Sequence, residues 1–89
     1  MKASKLPLVL IEWVDSAQPE PAWRHLDNPP EMELIQCTSV GWLIGDSNGV
    51  KMLAPNIGDL KSDGNAQASG FIRIPARAVK RQVKLREAK

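Results

Sequence analysis

Proline placement constrains this chain more than any other feature. Four prolines (Pro19, Pro21, Pro29, Pro30) crowd one segment, and Pro7, Pro55 and Pro75 each stand at the border of an apolar run. Proline fixes φ and removes a backbone donor, so it interrupts central strands and helix interiors alike. The runs left between these stops are short and rich in Val, Ile and Leu, which suits strands better than helices.

The first run is Leu8 to Asp15 (LVLIEWVD). At period two, Val9, Ile11 and Trp13 share one face, and Leu8, Leu10, Glu12 and Val14 share the other. Its first half is apolar on both faces and its second half on one, as in a strand that passes through a core and reaches the rim. The second run, Glu33 to Ile44 (ELIQCTSVGWLI), is long enough to bend, and the interior Gly41 predicts a bulge or bend. Asn48-Gly49 then predicts a tight hairpin into a third strand, Val50 to Ala54, which Pro55 and Asn56 end. Residues 57–70 are polar and Gly-rich and are expected to form a flexible loop. Phe71 to Ile74 is a short fourth strand closed by Pro75.

Two segments resist a local reading. Residues 16–32 hold the four crowded prolines together with Trp23, His25 and Leu26. A loop with a Trp and a Leu in it is expected to fold back onto the domain, with one helical turn over Pro21 to Leu26. After Pro75, the stretch ARAVKRQVKLREAK is rich in helix formers and opens on a residue suited to a first helical position. It also reads as a 3₁₀ turn over Ala76 to Ala78 and a fifth strand, with Val79, Arg81, Val83 and Leu85 inward and Lys80, Gln82 and Lys84 outward.

This order of strands, with a long first loop and a short turn before the last strand, resembles an SH3-like or Sm-like barrel. The expected fold is therefore all-β: a five-stranded barrel spanning residues 6–85, a tail at 86–89, and one domain in all. At residue level the stretches VLIEWVDS, WRHLD, TSVGWLIGDSNGVKMLAPNIGD and IRIPARAVKRQVKL resemble a group of small bacteriophage and prophage proteins. The resemblance favours a strand at the C-terminus and implies no activity. The chain lacks the Asp-x-Met-Asn-type segment and the Arg-Gly pair with which Sm proteins contact RNA, so an Sm-like fold here does not carry RNA binding with it.

Composition narrows the function. With 89 residues and 43% hydrophobic content the chain is long enough for one small core, and self-association would strengthen so small a domain. No apolar run approaches the ~20 residues that a membrane helix needs, so no membrane partner is expected. One cysteine, Cys37, cannot form an internal disulfide, which points to a reducing, cytoplasmic setting in a bacterial host, with association to a virion open. Residues 1–72 carry five bases and nine acids, whereas residues 73–89 carry seven bases and one acid.

No residue set satisfies an enzyme. Gly45-Asp46-Ser47 resembles a nucleophile block, but turn chemistry explains it. Cys37 with the single His25 reads as a buried small residue and a surface imidazole, not as a thiolate pair. Asp15, His25 and Asp27 fall short of a structural metal site. No catalytic residue, cofactor or metal is expected. Two contact surfaces are: Trp23, the aromatic best placed to stay partly exposed, for a protein partner, and Arg77, Lys80 and Lys84 for the phosphates of a nucleic acid. The reading that follows is a non-enzymatic accessory or structural protein, self-associating or bound to a phage or host protein, with nucleic-acid binding as the alternative.

Overall fold

The computed structural model of the chain describes residues 5–62 and 64–88. Seven strands follow in order: β1 Leu8–Asp15, β2 Ile35–Ser47, β3 Val50–Ala54, β4 Asn56–Gly58, β5 Gln67–Ser69, β6 Ile72–Pro75 and β7 Val79–Lys84. A 3₁₀ turn, Ala76–Ala78, joins the last two. The fold is all-β, and β6, β3, β2, β1 and β7 form one antiparallel sheet in that order. β4 and β5 pair separately as a small hairpin within what composition marks as a flexible loop.

The sheet corrects the expected barrel in two respects. The described residues form seven strands instead of five, two of them a separate hairpin, and the five-stranded sheet is open: β6 and β7 are its two edges, with no ladder between them among the described residues. All four residues of β6 are spent on pairing with β3, and its last, Pro75, has no N–H to offer outward. The ends of the sheet are linked covalently through the 3₁₀ turn, whose Ala76 N–H donates to Gly49 O at 2.8 Å.

The core lies on one side of the sheet. Val9, Ile11, Leu53 and Ile74 are buried there, and Trp13, Leu43, Ile72 and Val79 pack against them; Ala54, also buried, lies on the other side opposite Trp42. The sequence places Val9, Ile11 and Trp13 on that face by period two alone. Each fully buried aliphatic side chain contributes about 1.5–3 kcal/mol. Trp13 closes one end of the core while its indole Nε1–H donates to Ser39 Oγ at 3.0 Å, so the polar edge of the ring is satisfied.

The hairpin is as expected. Asn48 (φ 55°) and Gly49 (φ 74°) both occupy the left-handed region that a two-residue turn of this hand requires. Gly41 has a different role from the bulge expected there. Its pairing with Val9 lies in an unbroken stretch of the β1–β2 ladder, and the register break falls instead between Leu43 and Gly45. Gly41 is needed because β3 presses on it: a Cβ there would lie 2.9 Å from Ala54 O and 3.0 Å from Ala54 C.

β7 settles the C-terminal ambiguity in favour of a strand. Docking Val79 onto the core and zipping the segment to β1 override its helix propensity. Its faces, however, differ from the simple alternation. Arg81 lies opposite Glu12, but Val79 lies opposite Trp13, so Lys80 is the extra residue of a bulge. Directly opposed residues share a face. Val79 therefore faces the core with Trp13, whereas Arg81 and Val83, opposite Glu12 and Leu10, lie on the reverse face. Gln82 and Lys84 fall on the core side at its open edge, opposite Ile11 and Val9.

Candidate interaction surfaces

Three surfaces stand out, and the largest is the segment joining β1 to β2. Every residue from Ser16 to Leu34 is exposed. Trp23, Leu26 and Met32 are as exposed as in an extended chain (101%, 97% and 98%), and Leu34 is 58% exposed. This arm does not fold back onto the sheet. The expected helical turn over Pro21 to Leu26 is absent as well; the local reversal is a turn in which Asn28 N–H donates to His25 O at 3.0 Å. The prolines account for both: they hold the backbone extended and deprive it of the donors a helical turn would use.

The arm is held by few bonds of its own. Asp15 Oδ1 accepts from Ser16 N–H at 2.8 Å at its base, and Arg24 Nε meets Glu20 Oε2 at 3.0 Å. An exposed pair of that kind contributes roughly 0–1 kcal/mol. Within its curl lies an open hollow of about 830 Å³ with Pro19, Glu20, Arg24, Pro29 and Glu31 on its walls. The arm gives the molecule its length, 58 Å by 27 Å by 26 Å, and a radius of gyration of 17.4 Å. A compact chain of this size has about 12 Å. With Glu20, Asp27, Glu31 and Glu33 against Arg24 alone, its charge is −3.

The second surface is the basic C-terminal stretch. Arg77, Lys80 and Lys84 are all exposed and pair with no acid among the described residues. They do not form the single row that alternation predicts. Arg77 belongs to the 3₁₀ turn, Lys80 to the bulge, and Lys84 to the core side of the strand. Arg81 is engaged by Glu12, Nη1 to Oε1 at 3.0 Å.

The third surface is the reverse face of the sheet. Leu8 lies opposite Trp42, and Leu10 opposite both Val40 and Val83. None of these is among the buried residues, and Val40 is 48% exposed. A smaller hollow of about 350 Å³ near the β4–β5 hairpin is lined by Leu6, Ile44, Ile57 and Phe71 with no titratable side chain, so it offers room without chemistry.

The residues considered for catalysis are scattered. Ser47 ends β2 opposite Val50, His25 sits on the arm, and Cys37 lies on β2 opposite Trp13, its Sγ 3.7 Å from Ile35 O. Among the described residues no three His, Cys, Asp or Glu side chains gather as metal ligands. No helix among them is long and apolar enough to cross a membrane. Of the contact residues expected from sequence, Trp23 is fully exposed. Its companions Leu26, Met32 and Leu34 escape a sequence reading that counts large apolar residues as core, although the prolines around them were the available signal. No family model, curated protein or solved structure matches the chain.

Proposed function

We propose that the chain is a non-enzymatic assembly or adaptor protein that acts through protein–protein contacts and associates with itself. The observation that carries this reading is the arm: three large apolar side chains held in water on a proline-rich segment. Long loops without secondary structure in small domains are uncommon and are either functional segments, such as binding loops, or linkers. Trp23, Leu26 and Met32 each stand bare along the arm, leaving apolar surface that a partner would cover. Light scattering on the purified chain at micromolar concentrations tests the reading, which expects a mass above that of the monomer; a strict monomer overturns self-association.

The strand order, with a 3₁₀ turn between the two edges, supports reading the sheet as an opened relative of the SH3-like and Sm-like barrels. The phage or prophage setting rests on the sequence resemblance, and a reducing cytoplasm on the lone Cys37. A second reading, nucleic-acid binding, is favoured by the exposed Arg77, Lys80 and Lys84, which pair with no acid among the described residues. It requires affinity that falls steeply with added salt. An anisotropy titration with a labelled oligonucleotide at low and moderate salt decides it, and absence of binding at low salt removes it.

A further inference from the structure

Two complementary surfaces on one small chain remain unmatched within it. The arm intersperses apolar and acidic residues: Trp23, Leu26 and Met32 lie among Glu20, Asp27, Glu31 and Glu33. The reverse face of the sheet shows Leu10, Val40 and Val83, and the edge strand β7 beside it carries exposed bases on both its sides: Arg81 on the reverse face, Lys80 at the bulge and Lys84 on the core side. The arm's large apolar residues are left in water, so its own domain does not satisfy it.

We infer that the partner of the arm is a second copy of this chain, with the acidic arm of one protomer laid along β7 and the adjoining apolar face of the other. This rests on the assembly reading above and specifies its surfaces. Both parts of the match point the same way: apolar side chains meet apolar side chains, and a segment of charge −3 meets a strand whose bases outnumber its neighbouring acids. An exchange in which each copy gives its arm and receives the other's closes on itself as a two-fold dimer. The sheet edges are poor alternatives. β6 ends in Pro75, β7 carries a bulge and several bases, and features of this kind discourage strand-to-strand pairing.

Charge reversal in two separate proteins tests the match. One carries Glu31→Lys with Glu33→Lys on the arm; the other carries Lys80→Glu with Lys84→Glu on the strand. All four positions are exposed, so circular dichroism should match that of the parent chain. The expected result is that each variant alone dimerises at least about tenfold more weakly than the parent. An equimolar mixture should recover dimer, because the basic arm of the first then faces the acidic strand of the second and the reverse contact is equally matched. Variants that dimerise like the parent, or a mixture that stays monomeric, overturn the arm-to-strand contact while leaving self-association standing. A parent chain that is itself monomeric overturns both.

Discussion

The sheet and the arm use similar residues to opposite ends. In the sheet, Val9, Ile11, Leu53 and Ile74 are sealed from water by strands that come from distant parts of the chain. In the arm, Trp23, Leu26 and Met32 are as apolar and are bare. Hydrophobicity therefore does not decide burial here; backbone does. A strand can present alternate side chains to a common interior because its own polar groups are satisfied by neighbours. A segment stopped by four prolines between positions 19 and 30 cannot join a regular ladder, and burying it would strand carbonyls without donors.

The difference can be attacked at several points by equilibrium unfolding in denaturant. The largest effect belongs to the core: Ile11→Ala should lower stability by about 2–5 kcal/mol, since it removes a fully buried branched side chain between two ladders. Gly41→Ala should cost about 1–3 kcal/mol, because the added methyl meets the backbone carbonyl of Ala54, which has no rotamer through which to yield. Arg81→Ala should cost about 0–1 kcal/mol, as both members of its pair with Glu12 stand well in solvent. The smallest effect should come from the arm. Trp23→Ala combined with Leu26→Ala should fall within about 0.5 kcal/mol of the parent at concentrations where copies dissociate. A core-sized loss there would mean that the arm is integral to the fold, and the contrast between the two regions would collapse.

What the sequence discloses follows the range of each signal. β1, the Asn48-Gly49 hairpin and the turn at Ala76–Ala78 are written in adjacent residues and read correctly from them. The bulge at Lys80 is not, because it exists only in the pairing with β1, and it reverses the facing of every later residue in β7, Val83 included. The β4–β5 hairpin is hidden by polar, Gly-rich composition, since its strands are only three residues each. The open sheet is likewise a property of which edges meet. For the candidate surfaces, Trp23 was visible as a possible contact, but the exposure of Leu26 and Met32 was not, and the three bases of the C-terminal stretch share a region without sharing a row.

The pairing of β1 with β7 has a consequence for how the chain is made. Glu12 and Arg81 are 69 positions apart. At ribosomal speeds of roughly 5–20 residues per second, β1 leaves the exit tunnel about 3–14 s before its outer neighbour does. Once β2 has followed, one side of β1 is paired and the other still has nothing, so an apolar strand waits in the cell with an open flank. Fusions or sequence changes that delay emergence of the last strand lengthen that wait, and insoluble product is then expected from a chain whose finished form is sound.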